Sequence, residues 1–566
     1  MSRIYNYIFY FLIGISIISC SDGGNDPVDP NPEPPNPPVV NPGILYNGII
    51  LPDQWPPRRS SSSDLEKGMS PFYLATKPDV INISTGRQLF VDDFLTISSS
   101  LKRTYYYPEY YSANPVLTAD KDWEKMGTKG AAFTAPFSDG IWYDEQSGKF
   151  KMWYMAGGGS YSTKNAGVMC YAESTDGITW TKPALSVVAG TNIVDYNSER
   201  DASVVWLDKQ ETNSSKRYKM FLSEKKEGKW QYIYKTSSDG ITWREVAASK
   251  AIADRSTVYK NPFRNVWVYS IRHNVRVNAD KLVRARDYNE NSDPVAGTKN
   301  AEALLGSFWF GPWPSEQRHP RYPDIAPAIY NQDAVPYESI MLGFFSVWQG
   351  PENNVAAANN EIKRNQIMVG YSRDGYSWYR EDMNPFMAVD ETNGAWNYGN
   401  LQSVAGTPLI VGDKLYFYLS GRKLTADEQE ITTTGLATLR RDGFVSMKGT
   451  GELLTAKLKF TGSYFYVNAN ISGELKVELL NTDGVVIPGY SKNDCKVIKG
   501  DQVKQKVEWN SNETLASLEG QNIQVKFYIT NGEIFSFWIS PDSTGESQGY
   551  TAGGGPGLHS SGIDKK

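Results

Sequence analysis

Carboxylates recur at one position relative to strand-like segments of this sequence. Three aspartates each come shortly before an apolar alternating run: Asp139, Asp201 and Asp254. A single aspartate there usually caps a turn, but carboxylates that meet can transfer protons and attack or activate water. Glu224, after the second strand that follows Asp201, could reach the same place. The pattern favours acid–base chemistry by paired carboxylates.

Metal and nucleophile chemistry find little support in the sequence. The chain has three histidines and three cysteines. Because His559 lies in a Gly-rich tail, a histidine zinc site or a Ser-His-Asp triad would depend on His273 or His319. Cys170 and Cys495 are far apart in strand-like segments, which predicts two buried thiols. We expect no organic cofactor and no catalytic metal.

Charge and aromatic content bear on the partner. The net charge is −5 and there is no basic run, so the electrostatic footprint of a nucleic-acid-binding protein is absent. Aromatic residues make up 13% of the chain, which suits platforms for sugar rings as well as the filling of sheets. We therefore expect a carbohydrate partner and no nucleic acid.

The elements that would position the carboxylates are indicated by a repeat. The motif Ser-x-Asp-Gly-x-x-Trp follows three alternating strands, at 174–180, 237–243 and 372–378. Its Asp-Gly pair supplies the positive φ of a tight hairpin turn. A degenerate copy at 283–288 fills a gap in the spacing, and a fifth copy occurs at 437–444. Five such hairpins predict a five-bladed β-propeller over residues 86–447.

The flanking segments complete an all-β fold class. The stretch 88–97 would supply the strand that seals the propeller ring, or an extra cover. Short alternating strands after Met447 predict a C-terminal β-sandwich over 448–540. The Gly- and Ser-rich remainder, 541–566, is expected to be disordered.

The N-terminal segment predicts export and anchoring. Residues 1–19 have the basic residue and short apolar run of a signal peptide. The residues before Cys20 are similar to a bacterial lipobox, whose cysteine is lipidated. Residues 20–45 form a Pro-rich linker, which predicts a stiff spacer. We expect a lipid anchor in the outer membrane, on the cell surface or periplasmic face, and no other membrane contact.

Four motifs carry a resemblance to a known family: LFVDDFL at 89–95, DRSTVY at 254–259, NPFRNVWVYSI at 261–271 and TGLATLRRDGFVSM at 434–447. With the predicted propeller, sandwich and leader, they resemble secreted bacterial lipoproteins of the glycosyl hydrolase, family-32-like group. Such propellers are of the glycoside hydrolase family 32 and 43 type. The resemblance implies a glycosidase with three carboxylates at the mouth of the central funnel. It assigns catalytic roles to Asp139, Asp201 and Asp254, with Glu224 as a candidate acid.

The loops after the second strand of each blade should emerge at the same rim as these carboxylates. They carry Arg272, His273, Trp348 and Arg422, which with Arg255 are the candidate substrate-binding residues. Arginine there could bind a carboxylate or sulfate of an acidic sugar through paired hydrogen bonds. Trp348 could stack on a sugar ring.

Two other functions fit the same sequence. One is a glycan-binding surface lipoprotein that has the propeller but no chemistry. The other is a lyase or dehydratase acting on uronic acids, in which a histidine or tyrosine base near Arg272 and His273 abstracts a proton. Sugar, linkage and stereochemical outcome are left open by the sequence.

Overall fold

The computed structural model describes residues 43–125, 132–157, 167–196, 199–278, 281–303, 306–359, 361–424 and 430–566. Cys20, the signal peptide 1–19 and most of the Pro-rich linker therefore lie outside the described residues. Within those ranges the α-helices are short: α1 (Ser61–Asp64), α2 (Phe72–Ala75), α3 (Pro294–Asn300) and α4 (Asn353–Ala358). None of the helices that the structure describes is long and apolar enough to cross a membrane.

Strands dominate the molecule from its N-terminal segment onward. That segment contributes β1 (Ile81–Asn82), β2 (Gln88–Leu89), β3 (Thr96–Ser99), β4 (Lys102–Tyr105) and β5 (Glu109–Tyr110). They are short, and each pairs with a strand that lies far away in the sequence. The segment therefore holds later parts of the chain together and forms no sheet of its own.

Five blades of antiparallel strands follow in chain order. Blade 1 has β6 (Ala132–Ala135), β7 (Ile141–Asp144), β8 (Lys149–Ala156), β9 (Val168–Ser174) and β10 (Ile193–Tyr196). Blade 2 has β11 (Arg200–Leu207), β12 (Tyr218–Lys226), β13 (Lys229–Ser237) and β14 (Arg244–Ala248). Blade 3 has β15 (Thr257–Asn261), β16 (Val266–Asn278), β17 (Lys281–Asn291) and β18 (Ser307–Phe310).

Blade 4 has β19 (Ala328–Glu338), β20 (Ile340–Gly350) and β21 (Arg364–Ser372). Blade 5 has β22 (Asn400–Leu401), β23 (Leu409–Val411), β24 (Lys414–Leu424) and β25 (Glu430–Arg440). The predicted all-β fold, a five-bladed propeller followed by a C-terminal β-sandwich, is confirmed.

The repeated turn fixes each blade to the one before it. In its three full copies the Asp Oδ1 accepts backbone N–H bonds two and three residues ahead, as at Asp239 (2.8 and 2.9 Å). The following glycine, Gly240, has φ 79° and lies against Trp153 of blade 1, whose Nε1 donates to its carbonyl at 2.7 Å. A side chain at that glycine would meet the Trp153 ring at 2.5 Å. The motif is therefore an inter-blade lock.

The same lock shows where the ring closes. Tyr418 of blade 5 donates its hydroxyl to the carbonyl of Gly177 in blade 1 at 2.6 Å. Strand β6 pairs in parallel with β25 and antiparallel with β8, so it joins blades 5 and 1. The expectation that 88–97 seals the ring is thus wrong: β2 pairs with the C-terminal sheet instead. The physical reason is that β6, adjacent to β7 in the chain, already fills the gap.

The degenerate repeat at 283–288 is not a turn. Those residues lie inside β17, which pairs with β16 along its whole length. Blade 3 turns later, at Asp293, whose side chain accepts from the Val295 amide at 2.8 Å and begins α3. The fifth copy does form a turn, with Asp442 at φ 61°.

The C-terminal module is built on two long strands. It contains β26 (Val445–Thr455), β27 (Leu458–Lys459), β28 (Tyr464–Leu480), β29 (Ile498–Val507) and β30 (Gln524–Ser540). Bulges in the pairing of β28 with β30 let these two strands bend. Strands β2, β3 and β4 add to the same sheet, and Phe90, Phe465 and Phe537 pack in its core.

The tail 541–566 is ordered, contrary to the expectation of disorder. Its strand β31 (Tyr550–Thr551) pairs with Tyr337 and Glu338 at the end of β19. Gly555 packs so closely on blade 5 that a Cβ would lie 1.7 Å from the Ile410 carbonyl oxygen. The glycines that suggested disorder are needed for close approach of backbone to backbone.

Candidate functional site

Each of the three predicted catalytic aspartates is buried and paired with an arginine. Asp139 Oδ1 lies 2.6 Å from Arg200 Nη2, and Asp201 Oδ1 lies 2.7 Å from Arg255 Nε. Asp254 Oδ1 lies 2.8 Å from Arg272 Nε. The first two pairs link successive blades, because each arginine stands next to the aspartate of its own blade. The structure thus brings the three predicted residues into one chain of ion pairs at the inner strands.

Arg255 is the centre of this arrangement. Besides Asp201, its charge acts on both Asp139 and Asp333, so carboxylates from blades 1, 2 and 4 surround a guanidinium from blade 3. The guanidinium also lies 4.4 Å from the ring centroid of Phe137. Arg255 and Phe137 both have left-handed backbones, with φ 55° and 39°. Such strain in non-glycine residues is held by the surrounding structure and is common at functional sites.

Asp333 was missed by the sequence analysis. It lies within β19, where Asn331 Nδ2 donates to its Oδ2 at 2.8 Å. The same amide donates to Ser138 Oγ of blade 1 at 3.1 Å and to Ser403 Oγ of blade 5 at 3.3 Å. Asp333 and Ser138 line a narrow cavity between the inner strands. The available signal was a run of three polar residues, 331–333, inside a buried strand.

Burial shifts two of these carboxyls into the neutral range. Desolvation raises the pKa of Asp333 to about 7, although Ser138, Arg286 and Arg255 favour its ionised form. Desolvation likewise raises the pKa of Asp139 to about 6, against the opposing charge of Arg200. Asp139 Oδ2 has no hydrogen-bond partner among the described residues. At a pH between these two values, Asp139 is mostly ionised and Asp333 is mostly protonated.

Glu224 lies on the rim of blade 2. It is opposite Arg200 in the β11–β12 register, and its Oε2 is 3.7 Å from Lys226 Nζ. The expectation that Glu224 follows this strand is wrong: it lies inside β12 and is buried, with Lys226 of the same strand as its ion-pair partner.

The rim candidates lie inside strands β16, β20 and β24, and not in the loops after them as expected from the sequence, and they differ in what they contact. His273 is buried, and its Nδ1 lies 2.7 Å from Asp287 Oδ1 in the next strand. Trp348 is half-buried and packs against a small apolar cluster between blades 3 and 4 that includes Val275. The guanidinium of Arg422 lies 5.4 Å from the ring centroid of Phe133.

Two other buried carboxylates, Asp92 and Glu338, lie elsewhere and stabilise the fold. Asp92 accepts from Arg373 Nη2 at 2.7 Å and fixes the turn of blade 4. Glu338 is the last residue of β19, at the opposite end of the strand from Ala328. It accepts a hydrogen bond from Arg441 Nη2 at 3.0 Å. Among the described residues no group of three or more His, Cys, Asp or Glu side chains is arranged to hold a metal ion.

Buried amides add further polar atoms beside the ring. Asn365, the second residue of β21, is fully buried, and neither amide atom has a hydrogen-bond partner within the described ranges. It faces Trp348 and Asn400 in the sheet register, and Asn400 faces Arg422. Buried polar groups without protein partners are usually satisfied by water or ligand.

No protein-family model and no curated protein matches this sequence. Similar solved structures include an N-acetylgalactosamine deacetylase from F. plautii, with TM-score 0.37 and 14% identity over 64% of this chain and 96% of that chain. A beta-fructofuranosidase from Schwanniomyces occidentalis is similar with TM-score 0.34 and 10% identity over 76% of this chain and 97% of that chain. An exo-beta-1,3-galactanase from Phanerochaete chrysosporium is similar with TM-score 0.31 and 11% identity over 74% of this chain and 99% of that chain. Similarity this low leaves substrate and reaction to be argued from the site itself.

Proposed function

We propose that the protein is a glycosidase in which Asp333 donates the proton and Asp139 acts as nucleophile or base. The observation that carries the proposal is the gathering of Asp139, Asp201 and Asp333 around Arg255, from three blades, with two of them titrating near neutrality. Hydrolysis of a glycosidic bond requires one carboxylic acid and one carboxylate at the same pH. A pair whose pKa values are separated by its surroundings meets that requirement.

Each group has a distinct part in this scheme. Protonated Asp333 gives its proton to the leaving glycosidic oxygen, while ionised Asp139 attacks the anomeric carbon or deprotonates the attacking water. Arg200 fixes Asp139 through Oδ1 and leaves Oδ2 for the reaction. Asp201 positions Arg255. The positive charge of Arg255 offsets part of the negative charge of Asp139, Asp201 and Asp333. Asp254 fixes Arg272 in the same way.

The rate should have a narrow bell-shaped dependence on pH with its maximum near 6.5. Asp139 must be ionised, so the rate rises as pH increases through about 6. Asp333 must be protonated, so the rate falls as pH increases through about 7. Measurement of kcat/KM from pH 4 to 9 checks this, and a flat profile above pH 5 would exclude the assignment.

A second candidate function, proton abstraction from a uronic acid, is favoured by one contact. Asp287 holds Nδ1 of His273, as a carboxylate does when it orients an imidazole base. The pair lies in β16 and β17, at the rim of the same site.

One experiment separates these functions. The soluble chain from residue 43 onward is incubated with neutral and acidic plant and algal oligosaccharides, and products are followed by mass and by ultraviolet absorbance. Products heavier by one water, without new absorbance, support the glycosidase. An unsaturated, absorbing product supports the lyase instead. Binding without any product would identify a glycan-binding protein and contradict both enzymatic assignments.

A further inference from the structure

A cavity of about 340 Å³ lies at the end of blade 4 where β20 ends and β21 begins. Three segments line it: the one before β19, with His319, the one before β21, with Glu361, and the one before β22, with Tyr398. None of the aspartates around Arg255 lines it. Its volume falls in the range of about 300–1,000 Å³ that small-molecule sites have. We call it the rim cavity.

The charged side chains of the rim cavity compensate one another. Arg321 Nη1 lies 2.5 Å from Glu361 Oε1, and Arg364 Nη1 binds Glu391. Arg364 Nε also donates to Gln349 Oε1 at 2.8 Å. Two arginines and two glutamates leave no net charge to attract an ion. An uncharged polar ligand therefore fits this lining better than an anion or a cation.

His319 offers one defined hydrogen-bond donor to the rim cavity. It lines the cavity although the residue as a whole is buried. Its Nδ1 accepts from the Arg321 amide at 3.0 Å, so the proton of the neutral ring is on Nε2. Burial lowers the pKa of His319, and the charges of Arg364 and Arg321 lower it further, which keeps the ring neutral at pH 7. Within the described residues this Nε2 has no protein partner, so it is left for water or a ligand.

Tyr398 supplies an aromatic surface to the same cavity. Its side chain is half-buried. Among the residues that the structure describes, no other ring or cation stacks on it, and no group forms a hydrogen bond with its hydroxyl. Other half-buried tyrosines of the chain have such partners, as Tyr105 does when it donates to Glu381 at 2.6 Å. A ring and a hydroxyl left without protein partners suit a ligand that has both an apolar face and polar groups.

We propose that the rim cavity binds an uncharged sugar unit, which stacks on Tyr398 and accepts a hydrogen bond from His319 Nε2. A sugar has hydroxyl oxygens that accept such a bond and a face of C–H groups that packs on an aromatic ring. That the ligand is a carbohydrate rests on the proposed function. Because the rim cavity lies apart from the reacting carboxylates, its occupancy can be measured without cleavage.

Nuclear magnetic resonance of the histidine rings tests the proposal, because the chain contains only three histidines. The chain from residue 43 onward carries isotope-labelled histidine, and the His319 signal is assigned by its loss in His319→Gln. The ligands are short oligosaccharides of galactan, arabinan and mannan, with oligogalacturonides as the anionic comparison. At least one neutral series should shift the His319 Nε2 signal until it saturates. The oligogalacturonides should bind about tenfold or more weakly than that series.

Variants locate the sugar on the Tyr398 ring. Tyr398→Ala should weaken binding about five- to tenfold because the ring contact is lost, and Tyr398→Phe should stay within about twofold of the parent. The His319 signal without ligand reports whether each variant keeps the cavity intact. Tyr464→Ala removes another half-buried tyrosine, in β28 of the C-terminal module. It is the matched control and should change nothing.

The outcomes for the rim cavity and for the proposed function are distinguishable. Cleavage of a glycan with no shift at His319 would overturn this inference and leave the glycosidase standing. A shift at His319 that depends on the Tyr398 ring, without cleavage, would support the inference and contradict the glycosidase. Equal affinity of Tyr398→Ala and the parent, or tighter binding of the oligogalacturonides, would also overturn the inference, and so would the lack of any shift at His319.

Discussion

Replacing Asp333 with asparagine is expected to lower kcat by about 10²- to 10⁴-fold, the usual contribution of a positioned acid or base. Asparagine keeps the size of the side chain and can still accept from Asn331, but it has no proton to give to the leaving oxygen. The variant should lose the alkaline limb of the pH profile. Steady-state kinetics on the cleaved glycan measure both effects.

The Asp333→Asn variant should also fold at least as well as the parent at neutral pH. Burial raises the folded-state pKa of Asp333 to about 7, above its ordinary value, so ionisation opposes folding as pH increases through that interval. A neutral amide removes this penalty. Asp139→Asn is a less clean test because it deprives Arg200 of its counter-charge.

A matched control distinguishes the loss of a catalytic group from the effect of replacing any aspartate by asparagine. Asp176→Asn changes an exposed turn on the outer edge of blade 1 and retains the Oδ1 that accepts from Ile178 and Thr179. Its kcat should equal that of the parent. If Asp333→Asn is equally active while Asp139→Asn is dead, the proton donor is another group and the assignment of Asp333 is wrong.

The propeller can be predicted from the sequence because each turn depends on residues within one short segment. A Ser-x-Asp-Gly turn needs its own side-chain acceptor and a glycine with positive φ, and both are visible in one short segment. Asp139, Asp201 and Asp254 could likewise be found from their place before inner strands. Their arginine partners Arg200 and Arg255 are adjacent in the chain to two of them.

The rest depends on contacts between distant segments. Asn331 and Asp333 resemble a loop in the sequence because polar residues seldom occur in a buried strand, and only the axis of the propeller gives them partners. The glycines of the tail also resemble a linker in the sequence, because the segments on which they pack are far away in the chain. Gly555 is required by the backbone of Ile410, which is remote in the sequence.

Replacing Glu338 with glutamine is expected to destabilise the protein by about 1–3 kcal/mol, the cost of leaving buried hydrogen-bond donors without an acceptor. Glu338 is fully buried and accepts from Arg441 Nη2 at 3.0 Å, from the Arg87 amide at 3.1 Å and from Ser547 Oγ at 2.6 Å. These partners come from the N-terminal segment, the turn after blade 5 and the tail. The carboxylate thus joins blade 4 to both termini of the folded chain.

The charge balance of this cluster limits the effect. Arg87 also binds Asp442 Oδ2 at 3.0 Å, and Arg441 binds Asp564 Oδ2 at 3.2 Å. Burial alone would raise the pKa of Asp442, but Arg87 and Arg441 lower it to about 2. Three carboxylates facing two arginines leave one negative charge in excess, and burial raises the pKa of Glu338 against the opposing charges of Arg441 and Arg87. The loss at position 338 therefore comes from the hydrogen bonds that an amide cannot accept, not from a missing charge.

Thermal and urea unfolding measure the loss, and Glu381→Gln is the matched control. Glu381 also binds an arginine, with Arg103 Nη1 at 3.3 Å, but its side chain is 53% exposed, so its loss should cost less than about 1 kcal/mol. Because the tail and the C-terminal sheet are held through Glu338, the variant should also expose residues 541–566 to proteolysis before the propeller unfolds. Equal stability of the two variants would mean that the buried cluster contributes specificity of folding and no net stability, since desolvation of its charges would then offset their attraction.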